Sequence, residues 1–237
     1  MEPRLPSALS GTGRPALIVP IYGRADDLPA KAQAAVSAGA DLLEWRADLS
    51  ENWDACAQAL ADVSVPVIAT IRTDSEGGSF PDRGSDYASA VLSLTAKRFD
   101  VLDIEIGRAG AHGTIAVARA SGIPVIASHH SFEMTPRDEE ILAILDDMAA
   151  AEADLLKIAF TPVNEDDTWR QMELSRGMQR RYGVPIISIS MGPDAAWTRL
   201  AARACGSAAT FASVGDGSAP GQLDAELVRS VLDALAR

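Results

Sequence analysis

One unit recurs eight times along this chain from Arg14 onward: a short apolar run, a turn, then an Ala/Leu-rich amphipathic stretch. Eight such pairs at even spacing within 237 residues predict an α/β fold, an eight-fold (β/α)8 TIM barrel in a single domain. The main rival is an open doubly wound sheet. It is disfavoured because no Gly-x-Gly-x-x-Gly follows the first apolar run.

The apolar runs are Leu17–Gly23, Asp41–Asp48, Pro66–Arg72, Val101–Gly107, Pro124–His130, Asp154–Phe160, Pro185–Met191 and Ala208–Val214. Each has the length and the Val/Ile/Leu content of a buried strand. Helical patterns follow at Ala25–Ala38, Asn52–Ala61, Arg83–Lys97, Ala111–Ser121, Arg137–Ala151, Glu165–Tyr182, Ala195–Cys205 and Gln222–Ala236. Gly39-Ala40-Asp41, Gly122-Ile123-Pro124 and Gly183-Val184-Pro185 punctuate helix ends, because glycine caps a helix and proline stops it. Residues 1–14, rich in Pro, Gly and Ser, read as a flexible leader without an apolar signal core, and residues 15–237 as the barrel.

Composition narrows the function. A net charge of -12 argues against nucleic-acid binding, which needs a basic surface, and fits a soluble protein kept dispersed by self-repulsion; a cytoplasmic location is expected. No apolar run approaches a membrane span, so no membrane partner is expected. Cys56 and Cys205 lack metal-ligand spacing and read as buried free thiols.

In such a barrel the chemistry sits at the C-terminal strand ends. Strand six holds Lys157 inside an apolar run, one of three lysines against eighteen arginines. Lysine is almost never fully buried unless paired or chemically useful, and a desolvated lysine can become a nucleophile where arginine cannot. The second run places Glu44, Arg46 and Asp48 on one face by alternation, with Leu43, Trp45 and Ala47 on the other. Arg72 ends strand three ahead of Glu76-Gly77-Gly78, and strand four carries Asp103 with Glu105. His129 and His130 end strand five; only one can face inward, and alternation does not say which. Arg199 follows strand seven, and Ser218 and Gln222 follow strand eight. The Glu44/Arg46 and Asp103/Glu105 pairs also fit a structural ion network, but one lysine, one inward histidine, several carboxylates and three arginines converge on one barrel end.

This set suits imine chemistry. A neutral lysine amine adds to a ketone, and the iminium acidifies the adjacent C–H. Histidine shuttles protons at neutral pH, with a carboxylate such as Glu76 or Asp103 to orient it. Arginines grip an acidic substrate bidentately. No zinc or magnesium site is needed or seen in the spacing. The expectation is proton abstraction from a keto-acid followed by elimination or carbon–carbon cleavage.

Taken in order, Glu44-Trp45-Arg46, Arg72 with Glu76-Gly77-Gly78, Asp103-Ile104-Glu105, Ser128-His129-His130-Ser131-Phe132, Lys157, Ser190-Met191-Gly192 with Arg199, and Ser218-Ala219-Pro220-Gly221-Gln222 resemble the type I 3-dehydroquinate dehydratase family over nearly all of the chain past the leader. The resemblance implies Lys157 as the Schiff-base lysine, His130 as general acid/base with Glu76 beside it, and His129 pointing away. It implies substrate binding by Glu44, Arg46, Arg72, Arg199, Ser218 and Gln222, with Arg199 as the main carboxylate clamp. It implies no metal or organic cofactor, a homodimer, and dehydration of 3-dehydroquinate to 3-dehydroshikimate. Three residues depart from the family pattern: Ser131 for Asp or Asn, Thr198 for Ser, and Pro20 for a small polar residue. Two further functions are weighed: a class I lysine-imine aldolase or transaldolase, disfavoured because Asp216 would repel a phosphate, and a barrel that binds a small acid without turning it over, which would require neither Lys157 nor His130.

Overall fold

The computed structural model describes residues 4–82, 84–215 and 221–236. Nine parallel strands form one curled sheet: β1 (Ala16–Ile21), β2 (Leu42–Arg46), β3 (Val67–Thr70), β4 (Val101–Glu105), β5 (Val125–Ser131), β6 (Leu155–Phe160), β7 (Ile186–Ser190), β8 (Ala209–Ser213) and the short β9 (Leu223–Asp224). Their order is β7-β6-β5-β4-β3-β2-β1-β8-β9. The sheet's β7 and β8 meet without a regular ladder. Ala208 N–H donates to Ile186 O at 2.7 Å. Above it the Ser207 hydroxyl accepts from Ser188 N–H at 3.1 Å and donates to Ala209 O at 2.8 Å. A serine side chain thus supplies what backbone pairing supplies elsewhere.

Seven α-helices are found among the described residues: α1 (Leu28–Ser37), α2 (Trp53–Ala59), α3 (Gly84–Leu94), α4 (Ala111–Ala120), α5 (Asp138–Ala150), α6 (Glu165–Tyr182) and α7 (Ala225–Leu235). α6 has the bounds its pattern predicts. Asn164 caps its first turn by accepting from Asp167 N–H, three acidic residues face its positive end, and Gly183 at φ 73° ends it before Pro185.

The expected helix over Ala195–Cys205 is corrected. Only a 3-10 turn forms, at Ala196–Arg199, followed by turns to Gly206. Ala195, Thr198, Ala202 and Cys205 are buried, which is the periodicity that suggested a helix. The bonds are mostly of the tighter kind, as in Thr198 N–H to Ala195 O and Leu200 N–H to Trp197 O.

The expected leader carries local structure among residues 4–14. Ser7–Leu9 form a 3-10 turn, and Leu9, fully buried, packs with Leu5 and Ala8 against the apolar cluster lining the barrel. Burying a leucine contributes about 1.5–3 kcal/mol toward that packing. Arg14 completes the anchor with a bidentate bond to Asp41 at 2.9 and 3.1 Å. Cys56 and Cys205 are free and buried. Among the described residues no helix is long and apolar enough to cross a membrane.

Alternation sorts the strands into layers. Leu43, Trp45 and Ala47 join the core between sheet and helices. On the other face Ile18, Leu42, Ile68, Val101, Ile126, Leu155 and Ile187 fill the lower barrel. Two residues further along β2 to β6 stand Glu44, Thr70, Asp103, Ser128 and Lys157, all buried. The barrel therefore has an apolar floor, and its polar layer begins where the strands near their C-terminal ends.

Candidate active site

The register builds the site. Arg46 pairs with Thr70 and Thr70 with Asp103; Glu105 pairs with Ser128 and Ser128 with Lys157. The polar layer is thus a ring of side chains contributed by neighbouring strands.

Lys157 is only 4% exposed. Its Nζ lies 3.0 Å from Asp103 Oδ2 and 3.4 Å from Glu44 Oε1, and 4.7 Å from the centre of the Phe211 ring. Of the carboxylates and arginines that the sequence brings to this barrel end, the groups within bonding reach of Lys157 are the carboxylates. Asp103 is the hub between them. It accepts from Arg72 Nη2 at 2.6 Å and from the Ser128 hydroxyl at 2.6 Å as well as from Lys157. Burial pushes Asp103 up, but the Arg72 and Lys157 charges and the Ser128 bond outweigh it and hold the carboxyl well below its usual range.

Arg72 is engaged by protein. Its Nη1 donates to Glu105 Oε1 at 3.1 Å and to Ser128 Oγ at 2.9 Å, and lies 3.5 Å from Glu76 Oε2. Glu105 also accepts from the backbone and hydroxyl of Thr73 at 2.8 and 2.7 Å. Tyr87 of α3, fully buried, accepts the Glu105 N–H. These bonds brace the loop that follows β3.

That loop carries Glu76 on a 3-10 turn, Asp74–Glu76, and folds back so tightly that only glycine fits at its tip. A Cβ on Gly78 would meet the Arg72 carbonyl oxygen at 2.1 Å, and one on Gly77 would meet the Phe132 ring at 2.3 Å. The paired glycines, a weak turn signal in the sequence, are a steric requirement for bringing Glu76 over the mouth.

Glu76 Oε2 accepts both from His130 N–H at 3.0 Å and from His130 Nδ1 at 2.9 Å. Burial raises Glu76, but its contacts with His129 and His130 and the Arg72 charge outweigh this and bring it to about 2. Burial, then the Arg72 charge, lowers His130 to about 3 against the pull of Glu76. At neutral pH the pair is therefore a carboxylate beside a neutral imidazole. A carboxylate only accepts, so the proton sits on Nδ1 and the Nε2 lone pair is free to take another.

His130 lies on the inward face with Ile126 and Ser128, and His129 on the opposite face with Val125 and Ala127. His129 nevertheless does not turn away from the carboxylate: its Nδ1 lies 3.5 Å from Glu76 Oε1, and its ring meets Phe160 edge to face at 6.2 Å.

These groups share one cavity. Lys157, His130 and Glu76 line it with Glu44, Arg46, Arg72, Arg199 and Gln222, so eight of the nine residues singled out in the sequence come together. Ser218 lies outside the described residues. Phe132, Ile189, Met191 and Phe211 give the cavity apolar walls. Arg46 is held bidentately by Asp48 at 2.8 and 2.7 Å, and Asp48 also accepts Ser79 N–H, tying β2 to the Glu76 loop. Arg199, 3% exposed and donating from Nε to Gly221 O at 2.9 Å, is lowered to about 10 by burial.

The model for Type I 3-dehydroquinase matches residues 17–237. The chain belongs to the type I 3-dehydroquinase family. Among curated relatives of this family, the 3-dehydroquinate dehydratase of Klebsiella pneumoniae strain 342 is 36% identical, the match covering 94% of each chain. That of Enterococcus faecalis is 35% identical over 94% of this chain and 93% of its own. Among solved structures, the type I 3-dehydroquinate dehydratase of Clostridium difficile, described with covalent modified comenic acid, superposes with a TM-score of 0.89 at 30% identity, covering 100% of this chain and 98% of that one.

The three departures from the family pattern are structurally mild. Ser131 Oγ faces Met134 N–H at 3.4 Å, in the loop after β5. The Thr198 hydroxyl donates to Ala195 O at 2.8 Å. Pro20 lies past the last β1–β8 pair, where β1 keeps only β2 as neighbour. Sequence reasoning put Asp103 among the candidate orienters of histidine; the structure gives it to Lys157 and Arg72. Its signal was present, since it alternates with Glu105 toward the same mouth.

Proposed function

We propose that this 3-dehydroquinase-family chain dehydrates 3-dehydroquinate to 3-dehydroshikimate through an imine on Lys157, with His130 as the proton carrier. The observation that carries the reading is Lys157, buried beside an ionised Asp103 in the cavity that also holds the His130–Glu76 pair.

The Lys157 amine adds to the C3 ketone and the adduct loses water, leaving an iminium. Asp103 at 3.0 Å from Nζ and the Phe211 ring face offset the new positive charge. The iminium draws electrons from the C2–H bond, and His130 Nε2 takes that proton. Glu76 holds Nδ1–H and steadies the resulting imidazolium. The enamine electrons return to expel the C1 hydroxyl, which leaves as water with the proton from His130. Hydrolysis of the imine releases the enone and restores the amine. Overall one water is lost from the substrate.

Arg199 is assigned to the substrate carboxylate, with Arg46, Glu44 and Gln222 for hydroxyl groups, and Ser218 with them. Arg72, whose donors go to Asp103, Glu105 and Ser128, contributes mainly by holding those groups and by its charge. The proposal includes a homodimer in the cytoplasm, which rests on the family resemblance and is tested by light scattering on the purified chain. The activity itself is tested by supplying 3-dehydroquinate and following the absorbance of the conjugated enone. Turnover that vanishes in Lys157→Arg supports the reading, because arginine keeps the charge but offers no neutral amine. Unaltered turnover in that variant would overturn it.

A further inference from the structure

Glu76 has two carboxylate oxygens, and the proposed reaction uses one. Oε2 receives both N–H groups of His130. Oε1 is buried and has no hydrogen-bond partner among the described residues, and the same holds for His129 Nδ1. These two orphan atoms face each other at 3.5 Å, just beyond hydrogen-bond length. Two buried polar atoms left unmatched would each carry a desolvation cost. A small closing movement satisfies both.

The surroundings permit that movement and little else. A Cβ placed on Gly107, in the turn after β4, would stand 3.8 Å from His129 Nδ1 and 3.9 Å from Glu76 Oε1, so this glycine flanks the contact without crowding it. Phe160 holds the His129 ring edge to face. On β5 the backbone of His129 pairs with Ile158, and alternation sends its side chain to the outer face of the barrel. His129 does not line the cavity. It can reach the chemistry only through Glu76.

Glu76 also needs a second hold. Arg72 Nη1 lies 3.5 Å from Oε2, the oxygen that His130 uses, and competes for it. A carboxylate fixed at one oxygen can rotate toward the arginine, whereas one fixed at both cannot. Because a carboxylate only accepts, the His129 tautomer that matches it carries its proton on Nδ1.

We infer that His129 is a positioning residue for the reaction: its Nδ1–H pins Oε1 of Glu76, so that Oε2 stays on His130 Nδ1–H and the Nε2 lone pair of His130 stays aimed at the substrate proton. This rests on the roles proposed above for His130 and Lys157. The arrangement is a histidine–carboxylate–histidine chain in which only the inner histidine touches substrate.

Two variants of the full-length chain test it. His129→Phe keeps the ring and its packing on Phe160 but removes the donor. His129→Asn gives up the ring and retains an N–H donor near the position of Nδ1. For His129→Phe the expected result is a kcat lowered about 5- to 30-fold, the worth of one hydrogen bond to a charged group, with KM changed by less than about twofold. His129→Asn recovers kcat to within about threefold of the wild type. Borohydride trapping of the Lys157 imine proceeds in both variants as in the wild type. A His129→Phe enzyme with wild-type kcat would overturn the inference. So would equal losses in the two variants, because the loss would then belong to packing. Absence of a trapped adduct in the wild-type protein would overturn the imine reading and this inference with it, and is distinguished from the other outcomes because it does not depend on residue 129.

Discussion

Replacing Glu76 by Gln separates the carboxylate's charge from its shape. Glu76 Oε2 accepts two bonds from His130, at 3.0 Å from the backbone N–H and at 2.9 Å from Nδ1. Glutamine can keep its oxygen in that place, so the backbone N–H stays satisfied and the fold is expected to hold. What goes is the negative charge that steadies the imidazolium formed when His130 takes the C2 proton. A hydrogen bond to a charged group contributes about 1.5–3 kcal/mol, so kcat should fall about 10- to 100-fold. The bonds of Glu76 run to protein groups, so KM should change little. The introduced amide would also point an N–H at His129 Nδ1, which places the loss toward the upper end. Glu76→Ala serves as the contrast: it strands the buried His130 N–H and should cost about 1–3 kcal/mol of stability as well. Steady-state kinetics with 3-dehydroquinate, alongside thermal unfolding, measure both. Unaltered kcat in Glu76→Gln would refute the assignment of Glu76 to the proton carrier. A raised KM at constant kcat would show instead that Glu76 contacts substrate in the ground state.

Further expectations follow from the same geometry. His130→Ala should lower kcat about 10²- to 10⁴-fold while still forming the imine, and loss of imine formation with it would show that His130 has another task. Gly78→Ala places a methyl 2.1 Å from the Arg72 carbonyl oxygen, so the Glu76 loop must move. Thermal unfolding should report a loss of about 1–3 kcal/mol together with reduced kcat, and a wild-type melting curve would contradict the tight approach. Acid should destabilise the fold in two stages. His130, lowered to about 3 in the folded chain, stabilises fully above the ordinary histidine value near ~6.5 and progressively less as pH falls toward 3. Glu76, lowered to about 2, and Asp103, also lowered, act the same way from about pH 4 downward. Glu105, which is raised, opposes them weakly at higher pH. Denaturant titrations at stepped pH should fall by up to about 1.4 kcal/mol per pH unit for each group engaged, and a flat profile between pH 7 and 4 would contradict the burial of neutral His130.

Much of this was legible in the sequence because period-two alternation decides so much in a barrel strand. Leu42, Glu44 and Arg46 fall on one face and Leu43 and Trp45 on the other, and hydropathy alone sorts them. Lys157 stood out by its apolar surroundings. The orientation of the two histidines was left open by alternation, and only the family resemblance chose His130. In the structure Ser128, a buried polar residue two places before His130, shares its face, whereas Ala127 shares that of His129. The pairing of adjacent strands was not legible, and with it went Asp103, whose bonds to Arg72 and Lys157 come from β3 and β6, far away in sequence. Nor could the segment after β7 be read, since buried positions every three to four residues fit an α-helix and a run of 3-10 turns alike. In the leader Pro, Gly and Ser dominate the composition, while the apolar residues that pack it on the barrel, Leu5, Ala8 and Leu9, are few.

The central claim is that Lys157 makes a covalent bond to substrate carbon. The direct measurement is borohydride reduction of the protein during turnover of 3-dehydroquinate, followed by intact-mass and peptide mass spectrometry. The account predicts one added mass per chain, equal to reduced product or substrate imine, located on the peptide carrying Lys157, and no such mass in Lys157→Arg. Turnover at the wild-type rate with no adduct, or with the adduct on Lys31 or Lys97, would contradict it.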